Sequence, residues 1–429
     1  MSKILLKDII SYKKGNAFKS TDYQKDGVAI VRVSDFENDT VNLNNLYYVS
    51  KEVADKNKNV ILNKYDVVVT TVGASAGNFI RVPEMAEGYL LNQNAVRLRI
   101  NSDEKFEKIY LFYALKYKKF TQYLLAGAQG SAQPSIVLDQ ILNAEIPYPK
   151  KDRRKYISEV LFTLDKKIQL NTQINQTLEQ IAQTIFKSWF IDFDPVHAKA
   201  NALASGQTAE QATQAAMAVI SGKNTQELHR LQTANPEQYQ QLWEIAEAFP
   251  SGVDEEGLPW GWEERYLKDV CNIVYGKGLP KNKLTEKGFY VFGANGVIGF
   301  YDSYTYEKPQ VLIGCRGTVG QVTLSYPYSF VTNNSLVIEY ENSCVSMYYL
   351  EKYLSNINLK EISSGSVQPQ ITIQNMSKVK ILIPNIEILN FYSEKVKEIY
   401  DKRLHHFYEN QSLSKVRDLL LPKLLSGEV

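Results

Sequence analysis

The strongest constraint on the fold of this chain is a heptapeptide that occurs twice. The sequence reads GSAQPSI at 130–136 and GSVQPQI at 365–371, which is 235 residues later. At the same offset and without a gap, Pro149 aligns with Pro384, and each proline ends a short apolar run. A repeat that extends beyond a short motif indicates that a whole structural unit is duplicated within the chain.

Further segments correspond in the same order in both halves of the chain. The matching pairs are LLKDIISYKKG with YLKDVCNIVYGKG, DVVVTTVGASAG with QVLIGCRGTVG, LLNQNAVRL with FVTNNSLVI, YLFYAL with YLEKYL, and NQTL with NQSL. The segments after the heptapeptide align without gaps, whereas the upstream segments need small ones. This pattern predicts two homologous units whose loops have diverged more than their helices.

Each copy combines a mixed α/β part with a long helix. The β-branched runs VAIVRV and SLVIEY predict strands, and Phe106–Leu125 predicts one helix. Beyond the α/β part, apolar residues recur at steps of three and four, which is the a/d spacing of a coiled coil. An ordinary amphipathic helix on a globular core is the alternative. The residues that we predict to form the coiled-coil seam are Leu164, Ile168, Asn171, Leu178, Ile181, Ile185, Leu413, Val416 and Leu420.

These patterns predict an α/β (α+β) fold with two homologous mixed α/β domains. The two long helices are expected to pack antiparallel as a coiled-coil spacer, in which Asn171 is a polar break that can set the register. The predicted boundaries are 1–149 for the first α/β domain, 150–192 for the first spacer helix, 193–259 for an acidic helical connector, 260–384 for the second α/β domain and 385–429 for the second spacer helix.

Charge is distributed unevenly along the chain. The formal net charge is +2, but residues 200–264 contain two basic and ten acidic side chains. Basic residues cluster outside that stretch, in SYKKGNAFKS, LKYKKF, PKKDRRK and YGKGLPKNK. The basic clusters are compatible with a polyanionic partner, and solvated lysine faces are the alternative. The acidic stretch is a poor surface for DNA, so a connector or a surface for protein contact is the expected role.

The sequence contains no pattern typical of a membrane protein, a metal site or a cofactor-binding catalytic centre. No apolar run approaches the length of about 18 residues that would span a bilayer. The cysteines Cys271, Cys315 and Cys344 show no CxxC spacing, which fits a reducing cytoplasm. GxGxxG and GxxxxGK[ST] motifs and an Asn/Asp-Pro-Pro-aromatic loop are all absent. We therefore expect a cytoplasmic, non-catalytic chain without a cofactor or metal of its own.

Both α/β parts contain polar, amide-rich loops with glycine and basic residues. Asn and Gln can bind adenine, and Arg and Lys can bind guanine, in the major groove. Glycine lets a backbone approach a phosphate, which Ser, Thr and Lys can hold. Such turns also occur in loops that bind nothing, but their recurrence in both copies favours binding. The candidate DNA-binding residues are Lys13, Lys14, Asn16, Lys19, Ser75, Asn78, Asn92, Gln93, Asn94, Ser131, Gln133, Lys277, Lys281, Asn282, Asn295, Arg316, Thr318, Gln321, Asn333, Asn334, Ser366 and Gln368.

The order of these features resembles the specificity subunit of Type I restriction-modification systems. The resemblance rests on the duplicated part that begins LKD, the GSxQPxI segment, the helix after each copy, FKSWFIDFDPVHAKA after the first helix, LPWGWEERYLKDV at the second copy and the final LLLPKLLSGEV. It covers nearly the whole chain. No single motif is highly specific, but their order and duplication are.

The resemblance implies two target-recognition domains on an antiparallel helical spacer and a bipartite double-stranded DNA target with an unread gap. It also implies partners: two adenine methyltransferase subunits, which use S-adenosylmethionine, and restriction subunits, which translocate DNA with ATP and Mg. GSxQPxI then lies at the junction of recognition domain and helix and is mainly structural, with its Ser and Gln as secondary candidates for phosphate contact. A protein-binding scaffold and a stand-alone DNA-modifying enzyme are the alternative functions.

Overall fold

The structure, a computed structural model, describes residues 2–37, 39–73, 75–126, 136–365 and 368–429. The chain forms two compact units. The first unit extends to Asn171 and also contains Tyr408–Val429, and the second unit is Thr172–Phe407. Each unit therefore contains one α/β domain and a segment of each long helix.

The first α/β domain consists of short strands with a few helices between them. Its strands are β1 (Lys3–Leu5), β2 (Ile10–Lys14), β3 (Tyr23–Gln24), β4 (Val28–Val31), β5 (Phe36–Glu37), β6 (Thr40–Val41), β7 (Tyr47–Val49), β8 (Val67–Thr70), β9 (Phe79–Arg81), β10 (Leu90–Leu91), β11 (Ala95–Ile100) and β12 (Glu145–Pro147). Its helices are α1 (Leu6–Ile9), α2 (Lys51–Lys56), α3 (Lys105–Lys116), α4 (Lys118–Ala126) and α5 (Leu138–Leu142).

The main sheet of this domain is antiparallel, with the strand order β2-β11-β8-β9. A second sheet has the order β10-β4-β7-β3, in which β4 and β10 are parallel. Strand β8 is buried at all four positions because it faces two cores. Val67 and Val69 face the core with α3, and Val68 faces the core with the second sheet. The pairs β1-β12 and β5-β6 complete the domain.

The prediction of a single helix over 106–125 was wrong, because α3 and α4 are separated at Tyr117. The backbone of Tyr117 is extended, with φ −60° and ψ 125°. The chain turns there, and Phe120 and Leu124 of α4 then reach the same core as α3. Burial of these two side chains outweighs the continuation of one helix.

Helices form the middle of the chain. They are the first long helix α6 (Lys151–Phe190), followed by α7 (Asp194–Ala204), α8 (Ala209–Ser221), α9 (Thr225–Ala234) and α10 (Pro236–Ala248). Helices α8 to α10 enclose a small core of their own, which includes Met217 and Leu228. The buried ammonium of Lys199 in α7 donates to the carbonyls of Ala246, Glu247 and Phe249 at the end of α10, at 2.6–3.2 Å. Burial lowers the pKa of Lys199, and the three carbonyls satisfy its donors.

The second α/β domain repeats the strand order of the first domain's main sheet, and its second sheet has three strands instead of four. Its elements are β13 (Glu263–Tyr266), α11 (Leu267–Val270), β14 (Asn272–Tyr275), β15 (Phe289–Gly293), β16 (Gly296–Tyr301), β17 (Val311–Gly314), β18 (Val322–Leu324), β19 (Phe330–Val331), β20 (Ser335–Glu339), α12 (Met347–Ser355), α13 (Ile373–Met376) and β21 (Lys380–Ile383), followed by the long helix α14 (Ile386–Ser426). The main sheet has the order β14-β20-β17-β18, β15 and β19 are parallel, and β13 pairs with β21. The duplication in the sequence is thus a duplication of topology.

Equivalent hydrogen bonds attach a helix to a strand in both domains. The phenol of Tyr110 in α3 donates to the carbonyl of Pro147 in β12 at 2.7 Å. The phenol of Tyr349 in α12 donates to the carbonyl of Leu382 in β21 at 2.6 Å. Pro147 and Leu382 are 235 residues apart, as the repeat requires. Burial raises the pKa of both tyrosines, so both remain protonated donors.

The long helices are antiparallel in each unit. In the first unit Arg153 of α6 donates to the carbonyl of Leu424 in α14 at 3.3 Å, and twelve residues further along α6, Asp165 pairs with Arg417 at 2.9 Å. As residue numbers rise on α6 they fall on α14. In the second unit, contacts of Asn175 with His406 at 2.8 Å and of Glu179 with Arg403 at 2.5 Å follow the same rule.

The predicted seam was wrong at Ile181 and Val416, which are 43% and 45% exposed. The neighbouring Ala182 is fully buried, because a straight α-helix drifts by about 20° per heptad relative to a strict seven-residue repeat. Over the heptads before Ile181 this drift moves the buried face to the next residue. In α14, Arg417 turns inward to Asp165 and leaves Val416 outside. Asn171 is fully buried, and the other predicted seam residues are half-buried, namely Leu164, Ile168, Leu178, Ile185, Leu413 and Leu420.

Across the described ranges, no helix combines the length and apolar character that a bilayer crossing requires.

Candidate DNA interface

Three segments of the first α/β domain meet beyond the ends of its strands. The amide of Gln93 donates to the carbonyl of Asn16 at 2.9 Å, and the amide of Asn16 donates to Leu91 at 3.1 Å. The amide of Thr71, directly after β8, donates to the carbonyl of Asn94 at 3.2 Å. We call residues 15–16, 71–73, 75–78 and 91–95 the first loop cluster.

The second α/β domain has the same arrangement. The amide of Asn333 donates to the carbonyl of Lys277 at 3.1 Å, and the amide of Lys277 donates to Val331 at 2.8 Å. The amide of Cys315, directly after β17, donates to the carbonyl of Asn334 at 2.9 Å. We call residues 276–277, 314–321 and 331–335 the second loop cluster. The same backbone bonds therefore hold different side chains, such as Asn16 in one cluster and Lys277 in the other.

A glycine allows the close approach of the segments in each cluster. A Cβ atom on Gly15 would lie 1.9 Å from the carbonyl oxygen of Asn92, and one on Gly276 would lie 2.3 Å from that of Thr332. Distances this short are excluded by atomic contact, so both positions require glycine. Gly278, two residues further on, has open space where a Cβ would lie.

The end of the heptapeptide closes each loop cluster. The amide of Ile136 donates to the carbonyl of Thr71 at 2.9 Å, and the amide of Ile371 donates to that of Cys315 at 3.1 Å. Both isoleucines are buried. The expected place at the junction with the long helix was wrong, because a short helix and a strand follow each isoleucine before the long helix begins. The candidates Ser131, Gln133 and Ser366 lie outside the described residues.

Many of the predicted candidates are brought together in the two clusters. The first loop cluster contains Asn16, Ser75, Asn78, Asn92, Gln93 and Asn94. The second loop cluster contains Lys277, Arg316, Thr318, Gln321, Asn333 and Asn334. The β15–β16 turn with Asn295 adjoins the second cluster, since the carbonyl oxygen of Ala294 lies 2.5 Å from the Cβ position of Gly314. Each cluster therefore presents several carboxamides on loops whose backbones are hydrogen-bonded to each other. We call these hydrogen-bonded loop backbones the backbone frame of the cluster.

The remaining candidates lie outside these backbone frames. Lys13 and Lys14 are exposed on the edge strand β2 that leads into the first cluster, and Lys19 follows that cluster in the chain. Lys281 and Asn282 are exposed in a 3₁₀ turn after the second cluster. Gln368 is exposed within the heptapeptide. None of these lysines forms an ion pair with a carboxylate among the described residues, so their charges remain available to a polyanion.

Two asparagines that the sequence analysis missed extend the first loop cluster. The side-chain amide of Asn16 donates to the side-chain oxygen of Asn57 at 2.6 Å and lies 3.4 Å from that of Asn59. These residues were missed because the stretch NKN at 57–59 has no counterpart among the repeated segments. Its alternation of amide and lysine, the composition of the other candidate loops, was the available signal.

Arg316 in the second cluster is held by a residue of the heptapeptide that was also missed. Its Nε donates to Oε1 of Gln370 at 3.1 Å, and the side chain is exposed. This single bond orients the guanidinium while its terminal amino groups have no protein partner among the described residues. A guanidinium held in this way can offer two parallel donors to one acceptor group.

The described residues offer hydrogen-bond donors and cations but no evident reactive group. Burial raises the pKa of the Cys315 thiol in the second cluster, so it is not activated as a thiolate. Within the described ranges, no three His, Cys, Asp or Glu side chains are grouped to hold a metal ion. The arrangement suits binding of a polar, anionic ligand over an extended surface.

The fold is similar to that of a Type I restriction-modification system S subunit. The crystal structure of the Type I restriction-modification system S subunit from M. genitalium superimposes with a TM-score of 0.56, at 17% sequence identity, covering 99% of this chain and 95% of that chain. This likeness concerns the fold alone. It agrees with the two mixed α/β domains and two long antiparallel helices described above.

Sequence comparison establishes the family. The sequence model of the protein family described as Type I restriction modification DNA specificity domain matches residues 1–180 and 259–416. The HindI specificity subunit of Haemophilus influenzae is 34% identical over 401 residues, 86% of this chain and 87% of the relative. The MjaIX specificity subunit of Methanocaldococcus jannaschii is 24% identical over 75% of this chain and 68% of the relative. The chain therefore belongs to the Type I restriction-modification DNA specificity family, and its role is recognition of a DNA target.

Proposed function

We propose that this chain reads a bipartite DNA sequence, with one α/β domain on each half-site and an unread gap between them. In this proposal the first and second α/β domains are the first and second recognition domains. The long helices α6 and α14 act as the spacer, and the cytoplasm is the place of action.

The observation that carries the proposal is the recurrence of one backbone frame with different side chains. Both loop clusters use the same inter-loop hydrogen bonds and the same obligatory glycine. At equivalent places, Asn16 is replaced by Lys277, and Gln93 by Asn333. Two equal frames with different donors and acceptors fit two half-sites of different sequence, because base edges are distinguished by such donor and acceptor patterns.

Chemistry on the DNA would belong to partner subunits. We propose that the chain binds two adenine methyltransferase subunits, which supply S-adenosylmethionine, and restriction subunits, which supply ATP- and Mg-dependent translocation. The lack of a motif for binding S-adenosylmethionine or ATP in the sequence supports this division. A methyltransferase must extrude its target base from the duplex, so the specificity chain need only hold and position the DNA.

Exchange of one domain tests the proposal. Residues 260–384 are replaced by the matching segment of a relative with a different target, and the chain is combined with its methyltransferase subunits. Mapping of methylated adenines should show one new half-site and one unchanged half-site. The purified chain alone should transfer no methyl groups.

Two outcomes would contradict this proposal. Simultaneous change of both half-sites would exclude independent recognition by the two domains. Methylation by the purified chain with S-adenosylmethionine alone would show that the chain is itself an enzyme. An exchange of residues 209–248, the helices of the acidic connector, serves as the control and should leave both half-sites unchanged.

A further inference from the structure

A single carboxylate on α6 links the first α/β domain to α14 within the first unit. Oδ2 of Asp165 accepts hydrogen bonds from Arg81 of β9 at 3.3 Å and from Tyr113 of α3 at 2.5 Å. Its other oxygen, Oδ1, accepts from Arg417 of α14 at 2.9 Å. One oxygen thus faces the α/β domain and the other faces the second long helix. The side chain of Asp165 is only 13% exposed.

In the second unit a carboxylate on α6 also links the α/β domain to α14, but at a different position. Oε1 of Glu179 on α6 pairs with the ammonium of Lys352 in α12, which is only 2% exposed. Oε2 of Glu179 pairs with Arg403 of α14 at 2.5 Å. Lys352 also pairs with Glu351 at 3.0 Å. Again one carboxylate oxygen faces the α/β domain and the other faces the second long helix.

The two carboxylates are not equivalent in the repeat. The 235-residue offset places Tyr400 opposite Asp165 and Ser414 opposite Glu179. The ionic links are therefore not copies of one contact in the repeat, and each separately connects its own α/β domain to both long helices. We call Asp165 and Glu179 the two junction carboxylates.

Charge-assisted hydrogen bonds are directional, whereas apolar burial is not. A buried ion pair adds little net stability over an apolar contact, because desolvation of the charges offsets their attraction. Its distinct contribution is therefore orientation. Each junction carboxylate restricts the angle at which an α/β domain stands on the two helices of its own unit.

We propose that Asp165 and Glu179 are positioning residues that determine the gap length accepted between the half-sites, an inference that rests on the proposed function. A domain of about 140 residues is about 35 Å across, so a tilt of about 6° at its base displaces its far side by about 3.5 Å. DNA rises about 3.4 Å per base pair. A small change of angle at a junction therefore displaces the far side of the domain by about the rise of one base pair.

The test measures gap preference separately from half-site recognition. The full chain, with its methyltransferase subunits, methylates DNA duplexes that carry both half-sites with gaps from two pairs shorter to two pairs longer than the native gap. Asp165→Asn and Glu179→Gln are compared with Glu159→Gln, which removes the same charge from an exposed position on α6. Arg417→Gln and Arg403→Gln break the same junctions from α14, for the case in which a carboxylate variant does not fold. Thermal unfolding reports the folding of every variant.

We expect the ratio of methylation at the native gap to methylation at gaps one pair longer or shorter to fall at least fivefold in the junction variants. The recognised half-site sequences should be unchanged, and the methylation rate at the native gap should stay within about twofold of the wild type. Glu159→Gln should keep the wild-type half-sites, and both its methylation rate and its gap ratio should stay within about twofold. An unchanged ratio in folded junction variants, or an equal fall in Glu159→Gln, would overturn the inference. A wild-type chain without preference for any bipartite site would instead refute the proposed function.

Discussion

The side-chain amide of Asn171 in α6 donates to the side-chain oxygen of Asn410 in α14 at 2.9 Å, and also to Glu409 at 2.7 Å. Asn171 is fully buried. A buried polar pair between two helices favours one alignment, because any shift along the helices leaves the amides without partners. The register of the two helices is thus specified by side chains as well as by helix length.

Matched insertions should lengthen the recognised gap. Four residues inserted in α6 after Asn171, together with four in α14 before Glu409, add about 6 Å and a net rotation of about 40°. One base pair adds about 3.4 Å and about 34° of twist, so we expect a gap longer by one or two pairs with both half-sites unchanged. Methylation mapping measures the gap.

An insertion in α6 alone should abolish DNA binding, because it misaligns the side-chain pairs between α6 and α14.

An insertion of seven residues in both helices keeps the heptad phase but adds about 10 Å. The DNA then twists by about 100° over three pairs, so this variant should fold and bind poorly. A normal gap with normal activity in the four-residue variant would show that the helices do not set the spacing.

Gly276→Ala should disrupt the second loop cluster. The added Cβ would overlap the carbonyl of Thr332 and force β14 away from the segment after β19. Overpacking of this kind costs about 1–3 kcal/mol of stability. We expect a lower denaturation midpoint and loss of discrimination at one half-site. Gly278→Ala, which meets open space, is the matched control, and an equal effect of the two substitutions would contradict the steric explanation.

Lys281→Ala should weaken DNA binding to all sequences alike. Its exposed ammonium has no carboxylate partner among the described residues and is a candidate phosphate contact. Loss of one phosphate contact lowers the slope of log affinity against log salt concentration by about 0.9. Binding titrations over a range of salt concentrations measure this slope. Arg230→Ala, in the acidic connector, should leave it unchanged, and a sequence-dependent loss from Lys281→Ala would indicate a base contact instead.

Arg316→Ala should relax specificity at one base pair of one half-site. The guanidinium is oriented by Gln370 and offers paired donors suited to guanine. We expect a loss of about 1–3 kcal/mol that is confined to that base pair. Gln370→Ala should give a smaller loss at the same position. Selection from DNA libraries measures both effects, and a uniform loss over all sequences would identify Arg316 as a phosphate contact.

Acid should weaken the junction at Glu179. Burial raises the pKa of Glu179, but Lys352 and Arg403 lower it by more, so the pKa lies below its ordinary value of 4.5. A carboxylate with a depressed pKa contributes stability above its unfolded-state pKa, and that stability is lost as pH falls through the folded-state pKa. The difference in free energy of unfolding between wild type and Glu179→Gln should therefore shrink below about pH 4.5. A difference that does not shrink as the pH is lowered would contradict this expectation.

The sequence by itself determined the duplication, and through it much of the architecture. Aligned segments predicted two mixed α/β domains and two long helices, and the structure has the same strand order in the main sheets of both domains. Many of the candidate residues in the recurring amide-rich loops meet in the two loop clusters. These features are local or repeated, and periodicity within a helix or strand follows from backbone geometry alone.

Only the tertiary structure decided which residues meet across the chain. The buried face of α6 passes from the predicted Ile181 to Ala182, because helix drift accumulates and packing selects the face. No pattern in the sequence distinguishes Asp165 and Glu179, yet each joins three elements distant in the chain. Such contacts depend on the approach of separate elements, and no spacing along the sequence records that approach.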